Sequence, residues 1–266
     1  MDVATALGTY LEIVDSCAPG LVEGLYVVGS FALDDWHEGR SDIDIVAVTA
    51  EPATDADAGS LRTAHALLSE HVPQPFVDGP YVAWGDLITP PTALHRPWSL
   101  EHRFRHDAEC FEINPVTWYV LATYGVTVRG PTVDRLGVYL DVEARTQFVV
   151  ENLRSYWLPL AQRLRDLCNS QPGSDFPASM LEWCALGALR LHVTAFTGDV
   201  VSRRVAGEHG LRVAPESTHA TLDTALAVRA GSEGAPDSVP AGDLLLAADV
   251  IEWCANEVAE AARPQP

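Results

Sequence analysis

The segment from Leu25 to Val48 constrains the fold more than any other part of the chain. Its sequence is LYVVGSFALDDWHEGRSDIDIVAV, with β-branched and aromatic runs at 25–28 and 43–48. Such runs are typical of buried strands, and the first one stops at a glycine, Gly29. The pattern therefore predicts a strand, a tight turn with a short helical connection, and a second strand.

Two aspartates, Asp42 and Asp44, stand at the start of the second run. Side chains two residues apart point to the same face of a strand, so both carboxylates should project together while Ile43 points into a core. Carboxylates about 6–7 Å apart along a strand repel each other unless a cation lies between them. Such oxygen ligands suit Mg²⁺, which usually takes one or two carboxylates plus substrate phosphates. The pair predicts a Mg²⁺ site, and the alternative is an edge strand with solvated aspartates.

Gly29 and Ser30 lie at the predicted junction of the first strand and the helical connection. Glycine allows close approach of the backbone to a ligand, and the serine adds N–H groups and a hydroxyl that can contact a phosphate. Gly-Ser followed by Ser-Asp-Ile-Asp resembles the signature of nucleotidyltransferases with the polymerase-β-like fold. A surface turn is the alternative for Gly-Ser alone.

The net charge of the chain restricts the classes of molecule that it can bind. The 266 residues include 37 acidic and 17 basic ones, a formal net charge of −20. An acidic surface repels nucleic acid and anionic membranes and attracts cations, which favours a small cationic acceptor. A general acidic bias, such as salt adaptation, would give the same charge without any ligand. The five scattered cysteines without a C-x-x-C pair argue against zinc and disulfides. We expect a cytoplasmic protein without a membrane span.

The rest of the chain predicts two domains. An α/β (α+β) nucleotidyltransferase domain with a mixed sheet is expected over 1–135, and an all-α helical bundle over 136–266. A third strand over 76–83 carries Asp78, and its internal Pro80 predicts a weak or edge strand. From the residues alone, Asp78 is either a functional carboxylate or a residue that caps the turn at Gly79.

Three segments carry a more specific resemblance. They are GSFALDDWHEGRSDIDIVAV, WYVLATYGVTVRGP and LEWCALGALRLHVTAFTGDVVSRRVAGEHG. Together they resemble the aminoglycoside adenylyltransferases of the streptomycin/spectinomycin resistance group. The resemblance implies Mg²⁺-dependent transfer of AMP from ATP to a hydroxyl of an aminoglycoside or aminocyclitol antibiotic, which confers resistance.

The resemblance also implies roles for individual residues. Asp78 stands where the family carries its glutamate base, and Arg203 stands where it carries a lysine. Asp78 is therefore expected to be the general base, with a third metal ligand as the alternative. The remaining implied roles are triphosphate binding by Gly29 and Ser30, Mg²⁺ binding by Asp42 and Asp44, and phosphate contacts from the helical domain by Arg190 and Arg203.

Acidic side chains are the candidates for binding a cationic acceptor. The sequence offers four of them without ranking them: Asp107, Glu109, Glu112 and Glu182. The expected assembly is a monomer or a small homo-oligomer. Two other functions remain open, a protein-modifying adenylyltransferase of the toxin–antitoxin type and a catalytically silent nucleotide-binding homologue.

Overall fold

The structure is a computed structural model that describes residues 1–91 and 95–262. The chain divides into two compact units, residues 1–141 and residues 142–266. The first unit contains a six-stranded sheet with helices, and the second is largely helical. The predicted fold class, a mixed α/β domain followed by a helical part, is confirmed.

The first unit alternates helices and strands along the chain. Its elements are α1 (Val3–Cys17), β1 (Gly24–Val27), α2 (Gly29–Ala32), β2 (Ile43–Thr49), α3 (Asp55–His71), β3 (Val77–Ala83), α4 (Trp84–Leu87), β4 (Trp98–Leu100), β5 (Arg103–Arg105), α5 (Pro115–Tyr124) and β6 (Val126–Arg129). A capping box at Thr54 begins α3, and the Asn114 side chain with Pro115 in the first turn begins α5.

The sheet has the strand order β5-β4-β3-β2-β1-β6. Strands β2 and β3 pair in parallel and are joined through α3, whereas the other neighbours pair antiparallel. Helices α1 and α3 cover one face, where Ile43 and Ile45 are completely buried. Because side chains alternate along a strand, Asp44 belongs to the opposite face. The predictions that Ile43 points into the core and that Asp44 faces away from it are confirmed.

Strand β3 corrects one expectation. The sequence predicts an edge or weak strand because of Pro80, but β3 lies between β2 and β4 and is buried along its whole length. Its pairing with β2 runs through Asp78 and resumes at Tyr81, so that Gly79 and Pro80 fall in a break of this ladder. A proline has no N–H to donate, and the break accommodates it within a central strand.

The second unit is built from six longer helices among its described residues. Its elements are α6 (Val142–Asn152), a π-helical turn (Leu153–Trp157), α7 (Leu158–Ser170), β7 (Asp175–Pro177), α8 (Ala178–Thr197), α9 (Arg203–Val213), α10 (His219–Ala230), β8 (Ser238–Pro240) and α11 (Ala241–Ala261). The π-helical turn lies just before Pro159, which has no N–H to donate within the helix.

Two short segments of the second unit form a small sheet, although the sequence predicts an all-α domain. Strands β7 and β8 pair antiparallel, and Phe176 faces Val239 in the register. Both side chains are buried, and the two strands lie against α8. The second unit is therefore not entirely helical. None of the described helices combines the length and the apolar composition that crossing a membrane requires.

Candidate active site

The Asp44 carboxylate lies directly against the backbone of Gly29. Strand β1 leads into Gly29, and the N–H of Val28 donates to the carbonyl of Asp44 at 2.8 Å. Gly29 has a φ of +59°, and a Cβ at this position would overlap Oδ2 of Asp44. A side chain is thus excluded here for two reasons, the left-handed backbone and the adjacent carboxylate. The first half of the Gly-Ser pair and the second aspartate form one local arrangement.

Asp42 ends an ordered loop and is exposed to solvent. Within this loop, the buried Asp35 contacts Nε2 of His37 through Oδ1 at 3.1 Å. The backbone of His37 exchanges hydrogen bonds with Ser41, whose N–H donates at 2.9 Å and whose Oγ accepts at 3.1 Å. These contacts stabilise the loop that precedes Asp42, while the aspartate itself is exposed.

Asp78 is the register partner of Asp44 on the neighbouring parallel strand. Its side chain is buried, and it accepts two backbone hydrogen bonds: Oδ2 from the N–H of Glu101 at 2.6 Å, and Oδ1 from the N–H of His102 at 3.3 Å. Burial raises the pKa of Asp78 above its ordinary value, and these two hydrogen bonds oppose the rise. The structure thus brings two of the three predicted catalytic carboxylates to adjacent strands.

The charges of the same two aspartates act on Glu112. It lies just before α5 and is half-buried. Burial, followed by the negative charges of Asp44 and Asp78, raises the pKa of Glu112 to about 8. Acidic side chains that raise the pKa of one another create a negative region that favours a cation. The sequence places Glu112 among four equivalent acidic residues, whereas the structure separates it from the others.

The carboxylates of Asp42 and Asp44 could supply part of the ligand set of a hard divalent cation. No described group of three His, Cys, Asp or Glu side chains is arranged to hold one metal ion. A cation at Asp42 and Asp44 would therefore take at most two carboxylates from the described chain and leave positions for phosphate oxygens and water. This ligand set is the one Mg²⁺ prefers in phosphate-transferring sites.

Comparison with known proteins identifies the first part of the chain. Residues 7–81, from α1 through Tyr81 of β3, match the family model of the nucleotidyltransferase domain. The match includes Gly29, Asp44 and Asp78. The chain carries a nucleotidyltransferase domain. The predicted enzyme class, a nucleotidyltransferase, is confirmed.

The fold of the whole chain is also found in a solved structure. The spectinomycin adenyltransferase AAD(9) from Enterococcus faecialis, crystallised with ATP and spectinomycin, superposes with a TM-score of 0.68. The match covers 97% of this chain and 100% of that one, at 13% sequence identity. The two proteins share the same fold over this length. No curated protein sequence matches this chain significantly.

The other acidic candidates of the nucleotidyltransferase unit lie on the surface. Asp107 and Glu109 are both exposed in the segment between β5 and α5. Oε1 of Glu109 lies 3.9 Å from Nε2 of His95, and both side chains are about two-thirds exposed, so this pair contributes little to stability. Their role as acceptor ligands stays a prediction.

The helical unit pairs two predicted ligand residues with each other. Nη1 of Arg203 donates to both carboxylate oxygens of Glu182, at 2.9 and 3.0 Å. Arg229 lies 3.8 Å from the same carboxylate, and the guanidinium of Arg203 stacks 5.0 Å above the ring of Trp183. Glu182 is buried, so this acidic side chain is neutralised by arginine within its own unit.

Arg190 and Ser30 each make a hydrogen bond that involves a backbone carbonyl. Nε of Arg190 donates to the carbonyl of Val201 at 3.0 Å, which ties α8 to the segment before α9. Ser30 is half-buried in α2, and its carbonyl accepts the N–H of Asp35 at 2.9 Å. The sequence did not single out Asp35 or His37, although Asp35 is the most buried acidic side chain of the loop. An acidic residue and a histidine at i and i+2 form too common a pattern to point to it.

Proposed function

We propose that this protein transfers the AMP group of ATP to a hydroxyl of an aminoglycoside or aminocyclitol antibiotic in the cytoplasm, and so confers resistance. The observation that carries the proposal is the contact of Asp44 with Gly29 inside a nucleotidyltransferase domain. The choice of acceptor is supported by AAD(9), which shares the fold along the whole chain and was crystallised with ATP and spectinomycin. The net charge of −20 favours a polycationic acceptor.

The residues of the site have distinct tasks in this proposal. Gly29 allows the triphosphate to approach the backbone, and Ser30 offers its hydroxyl. Asp42 and Asp44 would hold Mg²⁺, which supplies charge neutralisation at the phosphates. Catalysis of this kind depends mostly on positioning and electrostatic stabilisation, with a carboxylate that takes the proton of the acceptor hydroxyl.

The direct test measures product formation. The full chain is incubated with ATP, Mg²⁺ and either spectinomycin or streptomycin, and we expect release of pyrophosphate together with a mass gain of one AMP group on the antibiotic. Asp44→Asn should remove nearly all turnover without lowering the melting temperature, because its charge acts on the cation rather than on the core. Asp42→Asn should behave in the same way.

The matched control is Asp223→Asn, which removes one charge from an exposed position on α10. It should keep the turnover of the wild type. If the wild type modified neither antibiotic, the acceptor class would be wrong. If it modified them but Asp44→Asn kept normal turnover, the assignment of the metal-binding pair would be wrong.

A further inference from the structure

A buried aspartate lies in the loop that connects the two halves of the candidate site. This loop runs from α2, which begins with Gly29 and Ser30, to Asp42 just before β2. Only 1% of the Asp35 side chain is exposed, and its Oδ1 lies 3.1 Å from Nε2 of His37. Burial of a carboxylate costs free energy that polar or charged partners have to offset. An acidic side chain at this depth in a surface loop therefore indicates a specific role.

The Asp35–His37 contact lies in the middle of a hydrogen-bonded path through the loop. At one end, the N–H of Asp35 donates to the carbonyl of Ser30 at 2.9 Å. At the other end, the N–H of His37 donates to Oγ of Ser41 at 3.1 Å, and the N–H of Ser41 donates to the carbonyl of His37 at 2.9 Å. Ser41 is buried and directly precedes Asp42. The side-chain contact thus joins a segment tied to the candidate phosphate-binding residue and a segment tied to the candidate metal ligand.

The loop is also attached to the first unit by a side chain that is not part of this path. Trp36, between Asp35 and His37, packs against the hydrophobic core of that unit. Its ring meets the ring of Phe31 in α2 edge-on, with the centroids 6.5 Å apart. Loss of the Asp35–His37 contact should therefore shift the end of the loop rather than unfold it. A shift of about 1 Å in a positioned group can cost about 10²-fold in rate.

Building on the proposed function, we propose that Asp35 and His37 are positioning residues that hold Asp42 in place for Mg²⁺ when ATP binds. The Asp35 carboxylate fixes the imidazole of His37. The backbone of His37 in turn fixes Ser41, and with it the direction in which Asp42 leaves the loop. Replacing a group that orients a metal ligand typically lowers metal affinity or activity about 10–100-fold. Neither positioning residue has to contact ATP or the cation itself.

The test measures ATP affinity by calorimetry in the full chain, once with Mg²⁺ and once with excess EDTA. His37→Ala removes the imidazole and should weaken ATP binding in Mg²⁺ about tenfold or more. In EDTA it should bind ATP within about twofold of the wild type, because Asp42 acts on the cation. The melting temperature is measured as well, and both titrations are carried out well below it. A purely structural role of His37 would lower the melting temperature without changing how ATP affinity depends on Mg²⁺.

Further variants separate the pair from the rest of the loop. His37→Gln carries an amide N–H that can take the place of Nε2, so its affinity in Mg²⁺ should stay within about threefold of the wild type. Asp35→Asn keeps the shape of the buried side chain but removes its charge, and it should weaken ATP binding in Mg²⁺ only. The double variant should bind no more weakly than His37→Ala alone, because both changes remove the same contact. Glu70→Gln, at an exposed position of α3, is the control and should match the wild type.

Three results would overturn the inference. The first is a His37→Ala variant whose ATP affinity in Mg²⁺ equals that of the wild type. The second is an equal loss of affinity with and without Mg²⁺, which would connect the pair to the nucleotide rather than to the cation. The third is a double variant whose loss equals the two single losses combined, which would show that the two residues act independently.

The same calorimetry separates this inference from the proposed function. Asp42→Asn should lose the same Mg²⁺-dependent affinity as His37→Ala. If Asp42→Asn kept that affinity, the metal assignment and this inference would both be wrong. The titrations contain no antibiotic, so they decide on the positioning pair even if the wild type modifies neither spectinomycin nor streptomycin. That last result would refute only the acceptor class.

Discussion

Replacing Gly29 with alanine should reduce both the stability and the turnover of this protein. The φ of +59° at Gly29 is left-handed, which costs about 1–2 kcal/mol for a residue that carries a Cβ. The new Cβ would also lie 2.7 Å from the Cβ of Asp44 and would overlap Oδ2. Because β2 fixes the Cβ of Asp44, either the carboxylate turns away or the chain around Gly29 shifts.

Both effects have a measurable size. The strain alone should lower the melting temperature by about 2–8 °C, since 1 kcal/mol corresponds to about 2–4 °C for domains of this size. A displacement of about 1 Å in a catalytic group costs about 10²-fold in rate. Thermal unfolding followed by circular dichroism gives the first number. Pyrophosphate release from ATP with Mg²⁺ and spectinomycin gives the second.

Gly8→Ala is the matched control. Gly8 lies on the exposed face of α1, and a Cβ there meets nothing within 4 Å. Alanine in a helix interior should stabilise the protein by about 0.5–1 kcal/mol and leave turnover unchanged. Gly29→Ala with the melting temperature and turnover of the wild type would refute the reasoning. A lower melting temperature with full turnover would show that the backbone is strained but that the Asp44 carboxylate is not displaced.

Two other predictions concern the helical unit. Arg203→Ala should lower the melting temperature, because among the described residues it leaves the buried Glu182 with the more distant Arg229 as its cationic partner. Weaker ATP binding by calorimetry at an unchanged melting temperature would instead show that Arg203 is a phosphate ligand. Burial, followed by the charge of His209, lowers the pKa of His192 from 6.5 to about 4. The contribution of its neutral form to stability is therefore complete above pH 6.5 and is lost as the pH falls towards 4. His192 should contribute about 2 kcal/mol to the loss of unfolding free energy between pH 7 and pH 5, measured in urea, and the drop in His192→Phe should be smaller than that of the wild type by this amount. An equal drop in both proteins would contradict the assignment to His192.

The centre of the nucleotidyltransferase unit follows from local sequence patterns. Period-two alternation predicts that Ile43 enters the core and that Asp44 faces away, and the structure confirms both. The role of Gly29 follows only in part. The sequence predicts glycine for close approach of a phosphate, but the contact with Asp44 depends on the antiparallel register of β1 and β2. Register is a long-range property that a single run of residues does not contain.

The hydrogen-bond partners of Asp78 could not be predicted from local sequence patterns. Its carboxylate is satisfied by a turn 23 and 24 residues away along the chain. That turn contains Glu101 and His102 rather than the glycine or asparagine that usually marks a left-handed pair, so no turn signal is visible there. Pro80 adds to the difficulty, because a proline predicts an edge strand unless the ladder has a break at that point.

The pairing of Arg203 with Glu182 changes what these two residues can do for a ligand. The sequence analysis assigns Arg203 to a phosphate and Glu182 to the cationic acceptor, and it treats the two side chains as independent. In the structure Glu182 is buried and receives two hydrogen bonds from Arg203, with Arg229 at 3.8 Å. A phosphate that bound Arg203 would have to compete with a desolvated carboxylate, and an ammonium group that bound Glu182 would have to displace an arginine. Loss of one partner of a buried pair costs more than the pair contributes, so a role of either residue in binding requires the other to be compensated at the same time. Their contributions to ATP affinity and to stability should therefore be strongly coupled, and a double-mutant cycle of Arg203→Ala and Glu182→Gln should be far from additive.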